Sequence, residues 1–218
     1  MVFDYAIARG MRLENPAKHV ERRKLKHRQP EIPSKEQFAQ LIATIHGMDR
    51  RAHYAADLLE LLGYSGMRLM EATSLKWRHV DFQRRTLLVT GGNDGTKNSR
   101  ERTIPLFPSL ETFLLELREQ RMKQLKLRNL SDWGVIPIEN AKTALNSACE
   151  EAELPHFTHH HCRHFFCSNA IEAGVDFRTI AGWLGHSDGG VLVAQVYGHL
   201  RDEHSRAMAA KMTFTVAA

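Results

Sequence analysis

The sequence predicts a mainly helical domain that contains a small three-stranded antiparallel sheet, an α+β arrangement. Apolar residues recur at helical spacing along most of the chain, as in Phe38, Leu41 and Ile45. The period changes between residues 77 and 106, where three short apolar runs are separated by polar turns. A chain of 218 residues can bury one such core and carry a fragment of a second domain.

The amino-acid composition and the net charge indicate the cellular compartment and the class of binding partner. The 30 basic and 25 acidic residues leave a net charge of +5, which suits a polyanionic partner without naming DNA. Three cysteines, an odd number, argue against a disulfide framework and for a reducing compartment. The N-terminus lacks the pattern of a signal peptide, and no apolar run approaches the ~20 residues that span a bilayer. We therefore expect a cytoplasmic protein with no membrane segment.

The pattern of the first thirty residues does not predict a domain with its own hydrophobic core. Residues 2–20 predict a helix whose apolar face ends near Gly10. Five basic residues then crowd into residues 22–28, ahead of Pro30. This run fits a solvated linker and a tether along a phosphate backbone equally well.

Helices with clear start and stop signals precede the sheet. Ser34 to Gln37 forms an S-x-x-Q capping box, so a helix begins at Ser34. A second apolar helix runs into the break Gly63–Gly66, and a third begins directly after it. Arg68 then falls in a first helical turn, where free amide groups and the helix dipole favour an anion. Its guanidinium group can hold two phosphate oxygens; the plainer alternative is an ion pair with Glu71 or Glu60.

The sheet and two scaffold helices follow. The strands are predicted at residues 80–82, 86–90 and 102–106. Lys97 lies in or beside the Gly-rich turn GGNDGTKNSR, where an exposed loop lysine is the plain interpretation. Helices are expected at residues 110–127 and 140–152. The outer face of the first is basic and includes Arg121; we expect that face to be solvated, and contact with DNA is the alternative.

A histidine-rich segment begins the last third of the chain. Residues 156–167 contain five His and two Cys, all metal-ligand types. Zinc sites usually pair two separated arms, and this is a single crowded cluster, so a metal site is disfavoured. His160 and Arg163 form an H-x-x-R pair on one face of a predicted helix.

The next predicted helix ends just before a second histidine that could bind phosphate. Asp176 caps that helix, Gly185 ends it, and His186 follows as either a capping imidazole or a phosphate donor. Tyr197 lies in a short apolar run, and Tyr54 and Tyr64 are the other tyrosines to consider. Cations that neutralise a phosphate, an imidazole that moves protons and a phenol that attacks are the groups that phosphodiester chemistry needs.

Taken in order, these motifs resemble the catalytic domain of the tyrosine recombinase, or phage integrase, family. The resemblance covers roughly residues 32–200 and rests on Arg68 in SGMRLMEATSL, Lys97 in TKNSRERTIPL, His160 with Arg163, Leu184-Gly185-His186 and Tyr197. It implies the catalytic-domain fold of that family over residues 32–218. It also implies that residues 1–20 are the last helix of a core-binding domain and that residues 21–31 are a basic linker.

The resemblance further implies a site-specific recombinase that cuts and rejoins double-stranded DNA through a 3′-phosphotyrosine. The implied roles are phosphorane stabilisation by Arg68, Arg163 and His186, proton management near the nucleophile by His160, leaving-group protonation by Lys97 and attack by Tyr197. Arg100 and Arg102 remain alternatives to Lys97, because one sequence does not settle the loop register. No cofactor or metal is expected.

The implied assembly is a homo-tetramer on DNA, with accessory DNA-bending proteins. A type IB topoisomerase shares this chemistry and is the alternative enzyme. A non-catalytic DNA-binding module is the alternative from another functional class.

Overall fold

A computed structural model describes residues 2–21, 31–49, 51–90, 101–197 and 209. Within those ranges the helices are α1 (Val2–Ala8), α2 (Lys35–Gly47), α3 (His53–Ser65), α4 (Leu69–Thr73), α5 (Pro108–Leu125), α6 (Lys142–Glu151), α7 (His159–Glu172), α8 (Phe177–Leu184) and α9 (Val191–Tyr197). The strands are β1 (Val80–Asp81), β2 (Thr86–Val89) and β3 (Arg102–Pro105). The predicted class, mainly helical with a small sheet, is confirmed.

The sheet is antiparallel in the order β1-β2-β3. Val80 pairs with Leu87, and Leu87 pairs with Ile104 on the other side. Leu87 and Ile104 are fully buried, because alternate residues of a strand face the core. The register ends where Val89 lies opposite Arg102, and residues 91–100 lie outside the described ranges.

Two hydrophobic clusters hold the helices together. The larger one joins α2, α3, α5, α6, the sheet and the start of α7, with Leu58, Leu62 and Leu114 among its fully buried side chains. The smaller one packs α7, α8 and α9 against each other through Phe166, Cys167, Ala170, Ile171, Ile180, Ala181, Leu184, Val193 and Tyr197. Helix α7 contributes to both clusters and therefore connects them.

The local signals for helix ends were mostly reliable. Ser34 Oγ accepts from the Gln37 amide at 3.1 Å, and Gln37 Oε1 accepts from the Ser34 amide at 2.9 Å, so the predicted capping box is confirmed. The N-terminal prediction was too long, because α1 ends at Ala8 and Gly10 has φ +68°. No residue of α1 is buried, so no tertiary packing extends that helix. The basic run at residues 22–28 lies outside the described residues.

The prediction that the outer face of α5 is solvated was wrong for Arg121. Its side chain is buried, donates to Asp57 Oδ2 at 2.7 Å and lies 4.5 Å from the centre of the Tyr54 ring. Burial raises the pKa of Asp57, and the charge of Arg121 opposes that change. The sequence pattern shows that the outer face of α5 is basic, but it does not show that Asp57 on α3 pairs with Arg121.

Membrane insertion has no support in the described part of the chain. No helix there has both the length and the apolar character required to cross a bilayer.

Gly66, at the end of α3, occupies a position where a side chain would not fit. It has φ +66°, and a Cβ atom built there would lie 2.4 Å from Phe166 Cδ1 and 2.9 Å from Leu184 Cδ2. We expect Gly66→Ala to lower the free energy of unfolding by about 2–3 kcal/mol, because it adds backbone strain and overpacking. Urea denaturation measures the change.

Gly182 in α8 provides the matched control. A Cβ atom there would meet nothing within 4 Å. Gly182→Ala should raise the free energy of unfolding by roughly 0.4–1 kcal/mol, because alanine favours the helix and restricts the unfolded chain. Equal stabilities for the two variants would contradict the close approach of Phe166 and Leu184 to Gly66.

Candidate active site

The candidate site is assembled at the C-terminal end of α8. The Trp183 carbonyl accepts from Arg102 Nε at 2.6 Å, and the Leu184 carbonyl accepts from Arg163 Nη2 at 2.7 Å. Arg68 Nη1 lies 3.5 Å from the same Leu184 oxygen. The last carbonyl groups of a helix lack helical partners and carry partial negative charge, so guanidinium groups satisfy them well.

Gly185 makes this helix end possible, as predicted. Its φ of +70° ends α8, and its amide hydrogen-bonds to the Ala181 and Gly182 carbonyls. A Cβ atom at Gly185 would lie 3.0 Å from Arg102 Nη1. A residue with a side chain would therefore strain the backbone and also push Arg102 away from the site.

Glu71 is a carboxylate between two of these arginines. Its Oε1 accepts from Nη1 of Arg102 at 2.9 Å and from Nη1 of Arg68 at 3.0 Å. Its Oε2 accepts from Arg102 Nη2 at 2.6 Å and from the Arg68 amide at 2.8 Å. Burial alone would raise the pKa of Glu71, but the hydrogen bonds and charges of Arg102 and Arg68 outweigh it and lower that pKa. Glu71 is therefore ionised and orients both guanidinium groups.

Arg68 lies immediately before α4, and not within its first turn as predicted. Its backbone is extended at φ −75° and ψ 155°, because it occupies the N-cap position. The expected alternative, an ion pair with Glu71, is present. That pair still leaves 44% of the Arg68 side chain exposed. The exposed part of its guanidinium group can contact a ligand while Glu71 holds the rest.

Arg163 projects from α7 into the centre of the site and is only 5% exposed. Its Nη1 donates to the Gly66 carbonyl at 2.6 Å, and its Nη2 donates to Leu184 and to His186 Nε2, the latter at 2.9 Å. Burial lowers the pKa of Arg163 to about 10, and the charge of Arg68 acts in the same direction. The group stays charged at neutral pH.

His186 follows Gly185, as the sequence predicted. Because its Nε2 faces an arginine donor, the neutral ring carries its proton on Nδ1. That nitrogen has no hydrogen-bond partner among the described residues. Burial and the charge of Arg163 lower the pKa of His186, so the neutral ring prevails at neutral pH.

Tyr197 ends α9, and its ring is 5% exposed within the smaller cluster. Its hydroxyl group hydrogen-bonds with Nδ1 of His164 and also interacts with Cys167. Burial raises the pKa of Tyr197, and Cys167 adds to that effect. The phenol is therefore protonated in this structure.

A second histidine of α7, His164, lies beside Tyr197 in addition to the expected His160. His160 was expected there, but His164 contacts Tyr197, and the His160 ring centre lies 4.6 Å from that of His164. The sequence contained a signal for this contact, because His164 follows His160 by one helical turn and lies on the same face of the helix. Burial lowers the pKa of His160, and the charge of Arg163 adds to that effect.

The other candidate residues lie away from this site or outside the described residues. Lys97 and Arg100 lie outside the described residues. Tyr64 lies in α3, where its hydroxyl donates to Glu60 at 3.3 Å and burial raises its pKa to about 12. Within the described ranges, no group of three or more His, Cys, Asp and Glu side chains is placed to hold a metal ion.

Comparisons with known proteins extend this description. The family model described as the phage integrase family matches residues 33–204. The chain is 26% identical over 218 residues to the tyrosine recombinase XerD of Neisseria meningitidis serogroup B, which covers 90% of this chain and 71% of that protein. It is 32% identical over 160 residues to the tyrosine recombinase XerC of Oceanobacillus iheyensis, which covers 68% of this chain and 50% of that protein.

Solved structures share the fold. A XerA recombinase matches with a TM-score of 0.61 at 23% identity, covering 85% of this chain and 66% of that one. The Tn1549 transposon integrase, in complex with a circular intermediate DNA, matches with a TM-score of 0.66 at 20% identity, covering 96% of this chain and 75% of that one. The helical arrangement and its sheet are therefore those of known recombinase structures.

Removing the charge of Glu71 should destabilise the protein. Glu71→Gln removes the carboxylate charge that compensates Arg102, whose side chain is 11% exposed, and the buried Arg163, so we expect the free energy of unfolding to fall by about 3 kcal/mol at neutral pH. Because the folded pKa of Glu71 is depressed, its contribution is present above about pH 4.3 and is lost as pH falls through the folded pKa. Urea denaturation at several pH values measures both effects.

Glu111→Gln is the matched control. Glu111 pairs with Arg85 at 2.6 Å, but 57% of the Arg85 side chain is exposed. Loss of this exposed pair should change the free energy of unfolding by no more than about 1 kcal/mol. Equal losses for the two variants, or a Glu71→Gln deficit that persists in acid, would show that Glu71 does not stabilise the arginine cluster as an anion.

Proposed function

The chain belongs to the phage integrase family of site-specific DNA recombinases, and we propose on this premise that it cleaves and rejoins DNA through a covalent bond to Tyr197. The Tyr197 oxygen attacks the scissile phosphate, which gives a 3′-phosphotyrosine and a free 5′-hydroxyl group. The hydroxyl group of a second strand then attacks the phosphotyrosine. The covalent intermediate conserves the energy of the phosphodiester bond, so neither ATP nor a metal ion is required by this scheme.

The convergence of Arg68, Arg163 and His186 at the end of α8 is the observation that carries this proposal. Arg102 joins them: Arg68 and Arg102 contact Glu71, and Arg163 lies beside them at the Leu184 carbonyl, so three guanidinium groups lie near one carboxylate. The site therefore has an excess of positive charge in a partly buried position. Such an arrangement binds a phosphodiester and stabilises the additional charge of its transition state.

Each of the three groups has a distinct role in this proposal. Arg68 is the most exposed, and its guanidinium group contacts a non-bridging oxygen while Glu71 holds it in place. Arg163 supplies charge from within the site at a fixed position. The Nδ1–H group of His186 is a buried donor with no partner among the described residues, and we assign it to a phosphate oxygen. Fixed donors of this kind need no reorganisation as charge develops, which is why they lower the barrier.

The leaving 5′ oxygen needs a proton, and we assign that task to Lys97. Arg102 was one of the two alternatives, but its Nε donates to Trp183 and its two Nη atoms donate to Glu71. An arginine also remains protonated in proteins and is a poor proton donor. Lys97 lies in sequence between Val89 and Arg102, which pair at the end of the sheet, and Arg102 itself reaches the site; both facts support this assignment.

The wider organisation is part of the same proposal. Residues 1–20 are the end of a core-binding domain, residues 21–31 are a basic linker and residues 32–218 are the catalytic domain. The protein acts in the cytoplasm as a homo-tetramer on double-stranded DNA, with accessory DNA-bending proteins. Solved relatives in complex with DNA support the DNA partner.

Tyr197→Phe should bind DNA as the wild type does and form no covalent adduct. The substitution removes the phenolic oxygen and leaves the packed ring in place. The measurement is denaturant-resistant adduct formation on nicked suicide duplexes that carry the DNA flanking the gene. Tyr5→Phe is the control, because Tyr5 is 58% exposed on α1 and should keep wild-type adduct formation. An adduct with Tyr197→Phe would move the nucleophile to another tyrosine.

Lys97→Ala should cleave a normal duplex very slowly but recover when sulfur replaces the bridging 5′ oxygen. The conjugate acid of an alkoxide has a pKa close to that of water, about 15.7, so protonation is worth roughly 10²- to 10⁴-fold. A thiolate, whose conjugate acid has a pKa of about 8.5, leaves without a proton. Single-turnover cleavage rates on the two duplexes measure the recovery.

Arg68→Ala and Arg163→Ala are the controls for that experiment. Both should stay slow with the sulfur duplex, because they act on the non-bridging oxygens, which the substitution leaves unchanged. Recovery by Arg100→Ala in place of Lys97→Ala would assign the general acid to Arg100.

A further inference from the structure

Arg102, on β3, belongs to the cationic cluster but has no role of its own in the proposed mechanism. We propose that it is a positioning residue, which takes most of the hydrogen-bonding capacity of Glu71 and so leaves the Arg68 guanidinium group free to hold a phosphate. The inference rests on the function proposed above and identifies what keeps Arg68 available within it. Its basis is the unequal division of the Glu71 carboxylate between the two arginines.

Glu71 binds the side chain of Arg102 with both of its oxygens and that of Arg68 with one. Nη1 and Nη2 of Arg102 donate to Oε1 at 2.9 Å and to Oε2 at 2.6 Å. The guanidinium group of Arg68 donates to Oε1 at 3.0 Å, and Oε2 accepts from the Arg68 backbone amide. The two-pronged pair of arginine and carboxylate is the stronger arrangement. Arg102 therefore holds the favoured contact, and 44% of the Arg68 side chain stays exposed.

Arg102 itself is poorly placed to bind a phosphate. Its remaining nitrogen, Nε, donates to the Trp183 carbonyl at 2.6 Å, so each nitrogen of its guanidinium group has a protein partner. Its side chain is 11% exposed, compared with 44% for Arg68. The charge of Arg102 therefore acts on Glu71, and Arg68 is the member of this trio that a ligand can reach.

The sheet and α8 together fix the position of Arg102. Its backbone pairs with Val89, and the Trp183 carbonyl that holds its Nε belongs to a residue whose ring packs against Phe107 at 4.9 Å between ring centres. Gly185 permits the close approach, because a Cβ atom there would lie 3.0 Å from Arg102 Nη1. Arg102 therefore cannot move far from Glu71 without disturbing β3 or the end of α8.

Loss of Arg102 would return both Glu71 oxygens to Arg68. Glu71 is 3% exposed, and a buried anion requires a cationic partner. Arg68 already contacts it and would form the two-pronged pair that Arg102 now makes. That pair would turn the guanidinium group of Arg68 inward, away from the exposed side of the site. A displacement of about 1 Å in a group that positions a substrate lowers the rate roughly 10²-fold.

Arg102→Gln and its combination with Glu71→Gln test the proposal. The probe is the nicked suicide duplex with the DNA flanking the gene, used with the full chain at saturating protein. We expect Arg102→Gln to form the Tyr197 adduct roughly 10²-fold more slowly than wild type. The double variant should be faster than Arg102→Gln, because glutamine at position 71 no longer draws Arg68 inward and the net charge of the site returns to its original value.

The double variant separates positioning from support of the fold. If Arg102 only stabilised the fold, the loss of Glu71 would add to the loss of Arg102, and the double variant would be the slower of the two. Circular dichroism will show whether each variant is folded. Arg102→Met keeps much of the aliphatic volume and takes the place of Arg102→Gln, alone and in combination, if the glutamine variant does not fold.

Arg78→Gln is the matched control for the loss of one positive charge. Arg78 pairs with Asp132 at 2.8 Å, and 52% of its side chain is exposed. Because this pair lies at the surface, its loss costs little stability. Arg78→Gln should keep the wild-type rate of adduct formation at saturating protein.

Each outcome is decisive. A wild-type rate in Arg102→Gln overturns the inference, as does a double variant that is as slow as Arg102→Gln or slower. An equal loss in Arg78→Gln also overturns it, because a general loss of charge would then explain the effect. A wild-type protein that forms no adduct would instead overturn the proposed function.

Discussion

A buried carboxylate and one helix end hold the cationic centre of this protein together. Guanidinium groups repel each other and lose solvation when they are buried, so a cluster of three requires compensation. Glu71 provides a full negative charge to Arg68 and Arg102, and the carbonyls of Trp183 and Leu184 provide partial negative charge at the C-terminus of α8. The compensation is incomplete, and the remaining positive charge can bind a phosphodiester without rearrangement of the donors.

The geometry of the site depends on elements that are distant in sequence. Arg68 comes from the N-cap position of α4, Arg102 from β3 and Arg163 from α7, and all three meet at α8. Two glycines allow these elements to approach each other closely. Gly66 accepts the Arg163 hydrogen bond and allows Phe166 to pack closely, and Gly185 allows Arg102 to approach α8. A small shift of α8 would therefore move all three guanidinium groups at once.

Helix α7 connects the proposed phosphate-binding groups with the proposed nucleophile. Arg163 faces the end of α8, and the next residue, His164, faces Tyr197. Successive side chains on a helix diverge by about 100°, so one rigid helix serves both parts of the site. Since α7 contributes to both hydrophobic clusters, its position is determined by most of the core. The distance between Arg163 and the Tyr197 oxygen therefore depends on core packing as much as on the site itself.

The sequence by itself determined the features that depend on near neighbours along the chain. The capping box at Ser34, the Asp176 cap, the Gly185 helix end and the three strands all appear where local patterns predict them. The order of Arg68, the H-x-x-R pair, Leu184-Gly185-His186 and Tyr197 was enough to indicate the family. Only the tertiary structure decided which groups meet. Glu71 and Arg102 lie 31 positions apart, His164 and Tyr197 lie 33 apart, and Asp57 and Arg121 lie 64 apart. Periodicity assigns a residue to a face of its own helix or strand, but the packing of the whole core determines which other element that face meets.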